Sequence, residues 1–263
     1  MADPEEVRAV IRGQVDIIAP VSSYFASLSP GFGVFYQPLL FTDVKQAMTL
    51  ASGSLGRNLL AGLDKQGLKG FGVWQDGPVY LFMTGAPVRT LDEIRGKKIR
   101  IFPSAPLEEG FRAVGAIPVA MPPADLFLAL RQGVVEGAVG SPAFAAPSRW
   151  YEVLKGMTRI LMGFSSYSVV INKASWDRLN AQHKDALNRA YADAERWNYA
   201  QAVQNIADAE KTLSDNGMAL ADLTPEQLAS WRAGVESVYA KQPNEVRALI
   251  EVVKAEAKSS AGR

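Results

Sequence analysis

Apolar and polar positions along the chain follow two periods, and the switches between them mark its elements. Helical spacing, with apolar residues three and four apart, runs through Pro4–Arg12, Val44–Leu50, Ser54–Gln66, Leu107–Val114, Ala124–Gln132, Ala145–Lys155, Ser175–Ser214 and Asn244–Lys258. Short apolar or alternating runs predict strands at Val15–Ala19, Leu68–Trp74, Val79–Thr84, Lys98–Phe102, Pro118–Met121, Arg159–Leu161 and Ser166–Asn172. Punctuation residues agree with these limits. Asp3 and Pro4 open the first helix, and Gln75–Pro78 reads as a turn. Thr90 starts a short helix in the connector Pro87–Gly96, and the run Thr224 to Gln227 (TPEQ) is a capping box that opens another helix. Val15–Ala19 (VDIIA) is apolar but for Asp16 and is read as a strand buried on both faces. In the long segment, Trp176, Leu179, Leu187, Tyr191, Ala194, Trp197 and Ile206 lie close to one stripe.

The stretch Leu91–Ser141 is the organising unit. Its strand, helix, strand, helix order at this spacing predicts a parallel pair joined by right-handed crossovers, so the fold class is α/β. Leu126, Phe127 and Leu130 share one face of its second helix, and Gly133 is the expected C-cap. In such sheets ligands sit beyond the carboxyl ends of the strands. Arg100 stands beside that edge, inside the apolar run KIRIF. A charge there needs a partner, either a ligand anion or the side chain of Glu108 or Glu109. Spacing alone favours the side-chain pair.

Composition narrows the choice of function. At 263 residues the chain exceeds the usual single-domain size, and two lobes are expected. A net charge of +1 with both signs interspersed gives no footprint for nucleic acid or an acidic membrane surface. The absence of cysteine removes disulfides, thiolate metal sites and a thiol nucleophile. No apolar run reaches membrane-spanning length, so the chain is not expected to be membrane-embedded. The N-terminus, MADPEEVRAVIRG, lacks the basic start and apolar core of a signal peptide. The one histidine, His183, falls on the surface of the long helix. Paired acids at Asp92–Glu93 and Glu108–Glu109 are explained by helix dipoles. The glycines of GFGVW and GVVEGAVG have the wrong spacing for a dinucleotide fingerprint. No catalytic residues, metal ligands or cofactor are expected, which argues against an enzyme.

Three segments carry a family resemblance: LDEIRGKKIR at 91–100, AVGAIPV at 113–119 and LALRQGVVEG at 128–137. With Trp150–Lys155 (WYEVLK) and Val169–Trp176 (VVINKASW), in this order and spacing, the chain resembles the solute-binding proteins of tripartite ATP-independent periplasmic (TRAP) transporters, the DctP-type family. The resemblance implies a two-lobed periplasmic binding protein of type II-like architecture, with a long helix behind both lobes and a ligand closed between them. Lobe I is expected over residues 1–77 and lobe II over 78–165. Residues 166–263 would return a strand to lobe I and then supply the long helix and C-terminal helices. It further implies that Arg100 binds the carboxylate of a small organic acid, through a planar fork suited to bidentate bonds. The partners would be that acid and the TRAP membrane subunits, and the localisation periplasmic.

Departures from the family pattern refine the ligand. Where the family often places an asparagine that assists the carboxylate, this chain has Gly140, with Ser141 the nearest polar group. A second arginine common earlier in the family falls near Tyr80. Both changes point to a less acidic or more apolar ligand, such as a monocarboxylate or an aromatic or keto acid. Tyr80, Phe102, Phe144 and Phe164 would supply an apolar wall, and Ser22 a contact from the Ser-, Tyr- and Phe-rich loop Pro20–Gly33. Family members also begin with a strand–helix–strand unit that this sequence lacks, so the fold is expected to be N-terminally truncated, leaving the edge of Val15–Ala19 unpaired and the chain marginally stable. A mis-assigned start would account for the same absence. Two alternatives are a sensor or scavenger of the same fold and an amino-acid-type binding protein. The latter would want an acid for an ammonium group, and Asp125 and Glu136 are its candidates.

Overall fold

The computed structural model describes residues 3–261. Helix α1 (Asp3–Ile11) leads to the short strand β1 (Ile17–Ile18), followed by 3-10 turns at Ser22–Ser27 and Pro30–Tyr36. Helices α2 (Val44–Ser52) and α3 (Ser54–Gly62) precede the long strand β2 (Leu68–Pro78) and β3 (Tyr80–Met83). The organising unit follows as α4 (Leu91–Ile94), β4 (Lys98–Ile101), α5 (Ala105–Ala113), β5 (Ile117–Ala120), α6 (Pro123–Arg131), β6 (Gly137–Gly140) and α7 (Pro142–Ala145). The chain closes through β7 (Gly156–Thr158), β8 (Phe164–Asn172), α8 (Lys173–Arg178), α9 (Ala181–Asp215), β9 (Ala219–Ala221), α10 (Pro225–Lys241) and α11 (Asn244–Ala261).

Two sheets result. One is three-stranded and antiparallel in the order β1-β8-β2, and the other is six-stranded in the order β5-β4-β6-β3-β7-β9. As the crossover pattern predicts, β4 runs parallel to β5, and it also runs parallel to β6. The chain passes between the sheets at residues 78–80 and again at 159–163. Helix α9 bridges them a third time. Its Glu195 and Asn198 accept from the backbone N–H groups of Val73 (3.2 Å) and Gln75 (2.5 Å) in β2. Further along, Glu210 pairs with Arg159, just past β7, at 2.8 Å. One core packs the three-stranded sheet and one face of the larger sheet, around Phe32, Phe41, Phe111 and Trp231. A second core covers the other face with Phe82, Leu126, Trp150 and Leu213. Each such side chain, fully buried, stabilises the fold by about 1.5–3 kcal/mol.

Local chemistry explains most boundaries. Thr90 and Glu93 form a complete capping box at α4, and Thr224 and Gln227 another at α10. The two backbone N–H groups of Arg89 and Thr90 hold the Glu93 carboxyl below the usual range. Gly133, in left-handed backbone, ends α6 as predicted.

Several expectations are corrected. The Gln75–Pro78 turn is instead the end of β2, bent by a register shift opposite β8. The 145–155 helix reduces to α7 and a 3-10 turn at Trp150–Glu152, because Arg149 takes left-handed backbone between them. The 159–161 strand lies three residues earlier, as β7. The Val15–Ala19 strand shrinks to two residues on a sheet edge with Ile17 exposed, rather than buried on both faces. Leu179 and Asn180 break the long helix, since Asn180 caps α9 by accepting from the His183 N–H. Phe127 and Trp197 leave their predicted stripes and face solvent, Trp197 at 67% exposure. The buried stripe of α9 is Ala202, Ile206, Ala209 and Leu213. The cap expected at Asp3 rests on side chains outside the described residues.

Candidate functional site

The carboxyl ends of β4 and β6 lie side by side in parallel register, with Arg100 opposite Ala138. Just beyond them is a cavity of ≈ 200 Å³, lined from this side by Arg100, Phe102, Val139, Gly140 and Ser141. Ser165 and Tyr167 of β8, in the other sheet, form the facing wall, and Val21 and Tyr24 cover it from the first 3-10 segment. Pro123, Phe144 and Trp150 complete it. A ligand here would touch both sheets. A second hollow of ≈ 580 Å³ shares Tyr24 and extends past Tyr36 and Pro103–Pro106. A further depression of ≈ 690 Å³ lies among α10, α11 and Leu39–Thr42, away from the strand ends.

Arg100 is 2% exposed and is the one cation among the residues lining the cavity. Its Nε and Nη2 donate to the carbonyl of Met121 at 3.1 and 2.9 Å. Of the five N–H donors of a guanidinium, those two fix the plane of the group against the end of β5. The acids weighed as structural partners are engaged elsewhere. Glu108 accepts from Arg112 at 2.8 Å, and Glu109 accepts from Gln242 at 2.7 Å. A cation held in an apolar pocket with water largely excluded favours an anionic ligand strongly, because the local dielectric is low.

Gly140 explains the departure noted in the sequence. A Cβ at this position would come within 2.7 Å of the Trp150 ring. That ring stands edge-on to both Phe82 (5.2 Å) and Phe144 (5.9 Å). An aromatic wall therefore occupies the space that a polar side chain at position 140 would need. Ser141 fits the polar role differently. Its Oγ accepts from the Phe144 N–H at 3.1 Å and donates to Asp76 Oδ1 at 2.8 Å.

Asp76 is the residue that sequence reasoning missed. The bend at the end of β2 aims it at the cavity wall. There Gly77 has φ +151, and a Cβ would lie 3.5 Å from Ser141 and 3.3 Å from Ile206 of α9. Burial raises the Asp76 carboxyl above its ordinary value, while hydrogen bonds from Ser165 and Ser141 oppose the rise. Tyr36, fully buried nearby, is raised too, first by burial and then by the Asp76 charge. Its hydroxyl has no hydrogen-bond partner of normal geometry, although the Ser23 and Ser166 backbone and the Ser165 side chain lie beside it.

Of the predicted site residues, the cavity gathers Arg100, Phe102, Gly140, Ser141 and Phe144. Ser22, Phe164 and Tyr80 do not line it. Ser22 is buried in a hydroxyl cluster with Ser166 (2.9 Å) and Ser168 (2.8 Å). Phe164 is 0% exposed in the first core. Tyr80 shares the sheet face of Arg100 but lies two strands away, where burial and Glu210 raise its pKa. Alternation along β8 could have found Ser165 and Tyr167, because they point opposite to Phe164, Ser166 and Ser168. Asp125 is exposed, and Glu136 binds Lys97 at 2.7 Å at the far end of β6, so neither reaches the cavity as an ammonium partner. His183 is exposed on α9.

Comparisons with known proteins identify the family and the fold. Residues 1–245 match DctP, the family of bacterial extracellular solute-binding proteins, family 7. The C4-dicarboxylate-binding periplasmic protein DctP of Rhodobacter capsulatus is 30% identical over 256 residues, covering 96% of this chain and 77% of that protein. A TRAP periplasmic solute-binding protein of Shewanella oneidensis with bound succinate superposes with a TM-score of 0.91 at 25% identity, covering 97% of this chain and 84% of the other. The sugar acid binding protein DctPAm of Advenella mimigardefordensis, in complex with galactonate, gives a TM-score of 0.89 at 28% identity over 97% and 84% of the two chains. The fold is that of the TRAP periplasmic binding proteins, long helix included. The chain belongs to the DctP family of TRAP-type solute-binding proteins.

Proposed function

We propose that this protein captures a small carboxylic acid between its two sheets and delivers it to TRAP-type membrane subunits, without catalysing a reaction. The observation that carries the reading is Arg100. It is a nearly fully buried guanidinium, and the one cation among the residues lining a cavity built from both sheets. A single cation facing an aromatic wall of Phe102, Phe144 and Trp150 suits one carboxylate on an apolar body better than two. The two passages between the sheets, at residues 78–80 and 159–163, would act as hinges for closure over the acid, dividing the lobes near the expected limits. Delivery in the periplasm follows from the family. Among the described residues no helix is long and apolar enough to cross a membrane.

The test is calorimetry with small mono- and dicarboxylates on the full chain and on Arg100→Ala and Arg100→Lys. Binding of monoacids that vanishes in the alanine variant and weakens in the lysine variant supports the reading. Unchanged affinity in Arg100→Ala, or tight dicarboxylate binding with none for monoacids, overturns it.

A further inference from the structure

We infer that Asp76 sets the ligand class by turning Ser141 into a hydrogen-bond acceptor, so that the site selects a hydroxy acid over the matching oxo acid. The inference rests on the carboxylate reading of Arg100 and deepens it. A hydroxyl has one proton and two lone pairs. The proton of Ser141 goes to Asp76 Oδ1 at 2.8 Å, and one lone pair takes the Phe144 N–H at 3.1 Å. What Ser141 retains for a cavity occupant is one lone pair. Ser165, on the facing wall, also hydrogen-bonds to Asp76.

The lining at Ser141, on the Arg100 side of the cavity, is thus an acceptor with no proton to give. A ligand hydroxyl can donate to that lone pair. A ligand ketone cannot, because two acceptors would face each other in a site closed to water, and each would be left without its solvent partner. With Arg100 holding the carboxylate, the hydroxyl that reaches Ser141 lies a short distance along the acid's backbone, consistent with a cavity of ≈ 200 Å³. Asp76 acts through Ser141, so it is a positioning residue.

Three acids that differ only at C2 give the test: 2-hydroxy-3-methylbutanoate, 3-methyl-2-oxobutanoate and 3-methylbutanoate, titrated calorimetrically against the full chain. The wild type is expected to bind the hydroxy acid about tenfold more tightly than the oxo acid, roughly the worth of one hydrogen bond in such a site. Asp76→Ala frees the Ser141 proton and should bring that ratio to one or below. Asp76→Asn keeps an oxygen acceptor for Ser141 and should preserve the preference. A general loss of stability would weaken all three acids together and leave the ratio unmoved. Equal wild-type affinity for hydroxy and oxo acids overturns the inference while the carboxylate reading stands. So does a ratio that Asp76→Ala leaves intact, or one that folded Asp76→Asn abolishes. No binding of any of the three acids overturns both.

Discussion

The two walls of the cavity are built on opposite principles. The β4–β6 wall presents a full positive charge on parallel strands, its guanidinium clamped by a backbone carbonyl of the neighbouring strand. The β2–β8 wall belongs to an antiparallel sheet and presents Ser165 and Tyr167, with the half-buried Asp76 carboxylate bonded to Ser165 and, across to the first wall, to Ser141. Charge acts at longer range and tolerates small shifts, so on the proposed reading the first wall decides whether an anion binds at all. Hydroxyl patterns depend on which atom holds the proton, so on the inference above Asp76 and the hydroxyls bonded to it would decide which anion. On that reading affinity rests on Arg100 and selectivity on the Asp76–Ser141 pair, and substitutions can address them one at a time.

The largest expected effect breaks the first wall. Arg100→Ala should weaken carboxylate binding by about thirtyfold to several thousandfold, the range for losing one partner of a buried, hydrogen-bonded charge pair. Calorimetry reads this directly. Next comes the junction of the walls. Gly140→Asn would drive a side chain into Trp150, 2.7 Å from the position of its Cβ, and should cost about 1–3 kcal/mol of stability. Its melting temperature should fall by several degrees, and an unchanged melt would show that Trp150 moves aside freely.

A smaller effect tests the second wall through pH. The Asp76 carboxyl is raised above its ordinary value of 3.8 in the folded protein. The stability linked to it is therefore fully present below that value and lost as pH rises through the folded-state value. Asp76→Asn should accordingly melt higher than wild type at neutral pH, the gap closing as pH falls toward 3.8. A gap that is constant with pH would mean that burial does not penalise the charge. The smallest effect serves as a control far from both walls. Lys97 and the Lys98 backbone hold Glu136 below its ordinary 4.5, so its contribution is present above that value and lost as pH falls through the folded-state value. The pair is well exposed, and Glu136→Gln should cost about 0–1 kcal/mol near neutral pH without changing ligand affinity.

The sequence revealed the charged wall better than the hydroxyl wall, and the reason is physical. An arginine inside an apolar strand is a rare local contradiction that singles out Arg100, although its neighbours alone favoured a side-chain pair and the ligand role came with the family resemblance. The second wall depends on register. Phe164 and Ser165 are adjacent in sequence, yet a strand sends them to opposite faces, so choosing Phe164 chose the core over the cavity. Asp76 was hidden inside an apparent turn, because DGP reads as a chain reversal until β8 is present to extend β2 beside it. Strand β6 was invisible for another reason. Gly137 and Gly140 sit where a Cβ would strike Phe82 O at 2.5 Å and Trp150 at 2.7 Å, so close packing demanded glycines where a strand pattern needs bulk. The long helix misled at Trp197, whose hydrophobicity predicted burial that the curvature of packing does not supply. Alternating strands and helices, the parallel pair and the capping boxes were all legible, since each rests on residues close in sequence.

The fit of Trp150 against Gly140 also constrains how this pocket could change over generations. A larger residue at 140 collides with the ring, and a smaller one at 150 leaves a void between Phe82 and Phe144. Each step alone lowers fitness through stability, and only the pair together opens space for a new polar contact. The two positions are coupled through one contact, so a side chain at 140 needs a smaller ring at 150 as well.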